Sequence, residues 1–321
     1  MTEALPQFTL VRPETLDDAL IALQATPDAA LSAGGPDLIV RLRKSLVGSD
    51  TLIDLTGIKA LNSIDPNENG LRIGAGVTLD QIEHSDLIAQ TYPAVVKAAA
   101  SVAGPSHRQV ATLGGNLCLD TRCVYLNQSH WWRKANDFCL KYQGDTCHVA
   151  PKGNRCRAAF SGDLAPALLV HDAEVEIAGP TGLRREPLGD LYVEDGATHL
   201  TLEPGEILVA VNLPASNRTS DYEKIRVRKT VDFPLAGVAV ACDTSQEPPR
   251  LLVAVTGTNS RPFLIDPPDD PMLSPADEAF FIALQKKVQK AVSPQRTTMI
   301  APHYRRLSVA ALAVRLARRI L

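Results

Sequence analysis

Short β-type runs that lead into glycine turns and short helices predict an α+β fold. Three observations carry this. Residues 30–33 and 71–76 each run as a strand into glycines and then into a helical stretch. Past a polar, turn-rich segment at 214–220, strand-type runs come first and helices last. Aromatics make up only 5% of the chain while Pro (23) and Gly (20) are plentiful, which suits many short elements joined by turns.

Taken in order, residues 12–26 open with a helix-start signal. Thr15 is the cap, Asp18 lies three residues on, and Leu16, Ala19, Leu20 and Leu23 share one face. The strand at 30–33 runs into Gly34, Gly35, Pro36 and Asp37, then a short helix at 38–42 and a strand at 51–55. These form a first α/β unit, residues 1–57. In the second unit, residues 58–214, the strand at 71–76 ends in glycines. Residues 78–88 read as one helix and 93–103 as another, stopped by Gly104 and Pro105. A long irregular loop follows. Then come a buried segment at 165–170, a strand at 174–178 whose alternation marks it as half-buried, and a strand at 206–213. The third unit, residues 215–321, has strands at 222–228, 235–242 and 250–258 and helices at 275–292 and 304–321.

With 321 residues, 45% of them hydrophobic and 21% charged, the chain is long and apolar enough for a multi-unit globular protein. A net charge of −3 gives no electrostatic footprint for nucleic acid. The first residues show no basic, then apolar, leader pattern, and no run reaches the roughly 18 apolar residues of a membrane span. The expectation is a cytoplasmic protein, and in that reducing setting clustered cysteines read as metal ligands or redox groups.

Four of the six cysteines, Cys123, Cys139, Cys147 and Cys156, fall in the irregular loop, with 15, 7 and 8 residues between them. They match neither the close spacing of ferredoxins nor the paired C-x(2–4)-C of structural zinc. Spacing alone therefore leaves open an iron–sulfur cluster, a four-thiolate zinc or uncoordinated thiols. Cys118 reads as a small buried side chain and Cys242 as a core strand residue. Trp131 and Trp132, the only tryptophans, are expected to pack the loop onto its domain. Seven basic residues against three acidic ones give residues 117–160 a charge of +4, which suits a negative metal–thiolate unit and a docking face for an acidic electron carrier.

Leu31, Ser32, Ala33, Gly34, Gly35, Pro36, Asp37 and Leu38 place two glycines between a strand and a helix start, where successive N–H groups suit a phosphate. Thr112, Gly115 and Asn116 form a second such turn. These two stretches resemble the FAD-binding subunit or domain of the xanthine oxidase family of molybdenum hydroxylases. So do Gly162-Asp163-Leu164-Ala165-Pro166, Pro204-Gly205-Glu206, the stretch from Tyr222 and Lys224 to Asp232, and the terminal His303-Tyr304-Arg305 helix. The likeness covers nearly the whole chain. It implies a two-subdomain PCMH-type FAD-binding fold plus a C-terminal α+β domain like that of the CO dehydrogenase flavoproteins. By motif position, residues 31–38 would wrap the FAD pyrophosphate, and Val102, Thr112, Gly115 and Asn116 would reach the cofactor from the second subdomain. Asp163 would contact its adenosine or ribityl part, and Lys224 or the nearby Lys229 would approach the flavin. Pro36 departs from the family's usual Thr or Asn and removes a donor.

The family joins its second glycine turn to the Asp163 motif by a much shorter path, so residues 117–162 contain an insertion. It resembles that of a branch of the family that reduces aromatic CoA thioesters, whose extra loop carries a [4Fe-4S] cluster. The resemblance makes Cys123, Cys139, Cys147 and Cys156 the ligands. It also implies partners: a molybdopterin-binding large subunit, a [2Fe-2S] small subunit, ferredoxin as electron donor, and a dimer of such heterotrimers. Electrons would pass from ferredoxin through [4Fe-4S] and FAD towards molybdenum. The alternative within the family is a subunit that delivers electrons from substrate oxidation to NAD or a quinone. Outside it stands a flavoprotein whose cysteine loop holds a structural zinc.

Overall fold

A computed structural model describes residues 4–228, 231–245, 249–268, 273 and 277–321. Three sheets follow one another along the chain. The first is parallel, with Thr51–Asp54 between Thr9–Val11 and Ala30–Ser32. Helix Leu16–Ala25 crosses between its strands, capped as expected by Thr15, whose hydroxyl accepts from the Asp18 N–H. Its Ala19 and Leu23 pack with Ile53 and with Ile207 and Val209 of the next sheet.

The second sheet is antiparallel, in the order Ile64–Asn67, Gly70–Gly74, Ile207–Pro214, Glu174–Gly179, Gly182–Pro187. Pro66 is tolerated because its strand is an edge, where a missing N–H breaks no ladder. The strand expected to be half-buried is buried from Val175 to Gly179, since it has a strand on each side and cover on each face. Its polar alternation reflects Glu176, which accepts from Arg72 (3.0 Å), Arg185 (2.6 Å) and Asn212 (3.0 Å). Burial pushes that carboxyl up, but these hydrogen bonds outweigh it and hold the group below the usual carboxylate range. The single helix expected at 78–88 is two, Leu79–Glu83 and Asp86–Thr91, because Ser85 caps a fresh start at the Ile88 N–H.

The third sheet, also antiparallel, runs Phe263–Ile265, Arg250–Thr256, Ala236–Asp243, Thr219–Ile225. Ala236–Asp243 is buried on both faces, which explains its unbroken small apolar sequence. Ala236, Val238 and Val240 meet helices Glu278–Ala291 and Pro302–Ile320, whereas Ala239 and Ala241 join the core of the second unit. Pro275, where the first of these helices was expected to start, lies outside the described residues. Arg305, only 1% exposed, donates to the carbonyls of Leu235, Gly257 and Gln295 and staples the last helix to the sheet. Burial without a carboxylate partner pulls its pKa down to about 10.

The insertion holds one short helix, His130–Ala135, and its own small apolar cluster of Cys123, Leu126, Cys156 and Ala158, against which Leu46 of the first unit packs. Among the described residues no helix is long and apolar enough to cross a membrane.

Candidate functional site

Two neighbouring cavities carry the chemistry. The larger, about 380 Å³, lies where the first two units meet Arg228, Val231, Asp232 and Phe233. Of the residues expected to contact a cofactor, Leu31, Ala33, Gly35, Pro36, Asp37, Leu38, Val102, Thr112, Gly115, Asn116 and Asp163 line it. Ser32, Gly34 and Lys224 do not form its wall. Gly34 acts behind the surface. At φ +85° its backbone presses on Val110 so closely that a Cβ would sit 1.9 Å from the Val110 carbonyl oxygen. This contact locks the first glycine turn to the second unit. The turn closes with Ile39 N–H to Gly35 O (3.0 Å) and Arg41 N–H to Asp37 O (3.1 Å), leaving the Gly35 and Asp37 N–H groups with no acceptor among the described residues. Such free donors on a concave turn suit an anion.

The opposite wall is the start of helix Leu113–Leu117. Thr112 caps it, its hydroxyl accepting from the Gly115 N–H at 3.1 Å. The Asn116 side-chain oxygen accepts from the Leu164 N–H at 3.1 Å, so this side chain fixes the start of the helix after Asp163. Asp163 and Lys224, assigned separately from the sequence, form one unit. The Lys224 ammonium lies 3.0 Å from one Asp163 oxygen, and the Tyr222 hydroxyl donates to the other. Tyr222 and Lys224 are two apart on strand Thr219–Ile225 and so share a face. Both members of the ion pair are under 5% exposed, with Lys224 at 3% and Asp163 at 4%. Burial pushes the Asp163 carboxyl up, and the Lys224 charge and Tyr222 hydroxyl oppose that push. Lys224 is thus paired with Asp163 behind the cavity wall; Lys229 lies outside the described residues.

Wall residues that sequence reasoning passed over include Arg41, His107, Asp120, Arg228 and Phe233. Only position in the fold marks them, apart from Arg228, which lies inside the motif stretch ending at Asp232 and pairs with that residue at 3.2 Å. Cys118 lines this cavity, and its apolar surroundings push the thiol up to about 12. Cys242 is buried in its strand as expected.

The second cavity is small, about 10 Å³, and Cys123, Cys139, Cys147 and Cys156 all line it. Left-handed backbone at Asp137 and Phe138 (φ +54° and +56°) aims Cys139 inward. Burial pushes Cys123 and Cys156 up to about 11, so both are neutral thiols until a cation displaces their protons. Backbone N–H groups of Tyr125 and Leu126 point at the Cys123 sulfur, and that of Ala158 reaches Cys156 Sγ at 3.4 Å. Four thiols on one cavity are a soft donor set of the kind that holds iron–sulfur clusters or zinc.

One buried chain of charge joins the cavities. Lys141, in the wall of the cysteine cavity, lies 2.5 Å from Asp120, in the wall of the larger one, and Arg41 meets the same carboxylate at 2.7 Å. Burial pushes Asp120 up, but these two cations win and its pKa is lowered. The basic excess of the insertion is thereby mostly internal. Of its seven cations only Lys134 and Lys152 are exposed, beside exposed Asp137 and Asp145. Arg122, Arg133, Lys141 and Arg155 turn inward to Asp37, the Lys44 carbonyl, Asp120 and Glu194 rather than contributing to the expected basic docking face. Nor do both tryptophans pack the loop. Trp132 leans on Tyr125 with centroids 6.3 Å apart, whereas Trp131 is 80% exposed, since Arg133 occupies the inward face of their helix.

The family described as FAD binding domain in molybdopterin dehydrogenase matches residues 6–216. The aldehyde oxidoreductase FAD-binding subunit PaoB of Escherichia coli is 32% identical over 273 residues, 82% of this chain and 85% of that one. The xanthine dehydrogenase FAD-binding subunit of Escherichia coli is 30% identical, covering 72% of this chain and 67% of its own. Among solved structures, carbon monoxide dehydrogenase from Hydrogenophaga pseudoflava superposes with a TM-score of 0.80 at 20% identity, covering 99% of this chain and 98% of that one.

Proposed function

The chain belongs to the family of FAD-binding domains in molybdopterin dehydrogenase, and on that premise we propose that it is the FAD and [4Fe-4S] electron-transfer subunit of 4-hydroxybenzoyl-CoA reductase. It is an oxidoreductase component, and FAD is its cofactor. In the proposed complex a molybdopterin-binding large subunit and a [2Fe-2S] small subunit complete a heterotrimer that pairs into a dimer. Electrons from reduced ferredoxin serve the dehydroxylation of 4-hydroxybenzoyl-CoA to benzoyl-CoA on the large subunit.

One observation carries this reading beyond the family. Four cysteines converge on one small cavity beside the larger cavity proposed for the flavin. When bound, FAD exchanges one or two electrons and a cubane cluster one, which lets the pair meet a one-electron carrier. The protein's own residues bind and tune. Leu31, Ala33, Gly35, Pro36, Asp37 and Leu38 would cradle the pyrophosphate, with Ser32 and Gly34 shaping the turn behind them. Val102, Thr112, Gly115 and Asn116 would form the facing wall, and Asp163, steadied by Lys224, one end. Cys123, Cys139, Cys147 and Cys156 would hold the cluster, and N–H groups aimed at their sulfurs would set its potential.

Metal analysis is the test. Close to four iron and four acid-labile sulfide per chain is the expected result; one zinc and no sulfide overturns the cluster. The dehydrogenase names of the relatives favour a second reading, in which the subunit passes electrons from substrate oxidation to NAD or a quinone. Rapid flavin reduction by NADH, with none by reduced ferredoxin, would favour that one.

A further inference from the structure

We infer that Arg122 is a flavin-positioning residue supplied by the insertion: it neutralises Asp37, so that the glycine turn at 33–37 accepts an anionic pyrophosphate. This rests on the reading that FAD binds in the larger cavity with its pyrophosphate at that turn. The turn offers free N–H donors, yet Asp37 sits in the same wall and its carboxylate would repel a phosphate. Asp37 makes no capping hydrogen bond to its own helix. Its ion-pair partner is Arg122, 85 positions away and next to the first cysteine of the insertion.

Arg122 is held for this task from three sides. One amino group meets Asp37, the guanidinium lies 4.2 Å above the Phe233 ring in the cavity wall, and its backbone pairs with Ala159 on the far arm of the insertion. The insertion grips the same short helix, Leu38–Arg43, at two further points. Asp120 takes Arg41 at 2.7 Å, and Arg133 donates to the Lys44 carbonyl at 2.6 Å just past the helix end. A loop that serves only to hold cysteines has no need of these contacts; one that also sets the flavin turn does.

A charge role and a mere staple differ in what rescues the loss. Arg122→Met leaves Asp37 bare, and FAD Kd of the deflavinated protein should rise about tenfold, the scale of one unbalanced charge near a protein surface. Asp37→Asn in that background removes the repulsion while leaving the pair broken, and affinity should return to within about threefold of the parent. The experiment is FAD titration by fluorescence quenching for the parent, Arg122→Met, Asp37→Asn and the double variant, with iron content recorded for each. An Arg122→Met protein that binds like the parent, or a double variant as weak as Arg122→Met, overturns the inference. If Arg122→Met does not fold, Asp37→Asn alone decides. The charge role requires FAD affinity no weaker than the parent's, and a clear loss points to a staple. A parent that takes up no FAD would instead sink the flavin reading itself.

Discussion

The larger cavity and the cysteine cavity lie side by side but are built in opposite ways. The first is walled by backbone and side chains from segments as distant as residues 31 and 233, and its key contacts are close backbone approaches such as Gly34 on Val110. The second is walled by residues 123–158, nearly contiguous in sequence, and its functional atoms are side-chain sulfurs. A site assembled by tertiary packing depends on the whole fold, whereas a site contained in one loop can be added to an existing fold without rebuilding it. The contacts of Arg122, Lys141 and Arg133 show the limit of that independence, because they are where the added loop grips its host.

The largest effect should come from Cys139→Ser. Iron and sulfide should fall to near zero while FAD stays bound, as read by metal analysis and flavin absorbance. Loss of FAD along with the iron would break the division between the two sites. Gly34→Ala attacks the other site. A Cβ 1.9 Å from the Val110 carbonyl, on backbone at φ +85°, forces the two units apart, with about 1–3 kcal/mol of lost stability and weakened FAD binding. Denaturant unfolding and flavin titration check this, and the iron content should not change.

A pH dependence samples the seam. Burial pulls His171 and His199 down to about 4 from the ordinary 6.5, aided at His171 by Arg218 and opposed at His199 by Asp120. Between pH 6.5 and about 4 the unfolded chain binds protons that the folded chain refuses, so stability is full above that window and lost as pH falls through it. Each histidine should contribute about 1.4 kcal/mol per pH unit. His199, 3.8 Å from Asp120 at the junction of the cavities, is the one to remove. His199→Gln should roughly halve the slope of unfolding free energy against pH; an unchanged slope would place the titration elsewhere.

Much of the fold was legible because its signals are local. The Thr15 cap, the glycine turn at Gly34 and Gly35, and the small-residue run of Ala236–Asp243 each state a backbone requirement in adjacent residues. Misreadings arose where neighbours decide. Residues 174–178 read as half-buried because a buried glutamate looks like a solvent-facing one until Arg72 and Arg185 are seen beside it. The basic insertion looked like a docking face for the same reason: sequence counts charges but not their partners.

By itself, then, the sequence determined an α+β chain with two glycine turns and four cysteines in one loop, because left-handed backbone and metal ligation demand particular residue types wherever they occur. Tertiary structure alone decided that the four cysteines line one cavity, that Lys224 pairs with Asp163, and that Arg122 reaches Asp37. These are distances between residues 61 and 85 positions apart, or across a folded loop, and no local preference encodes them.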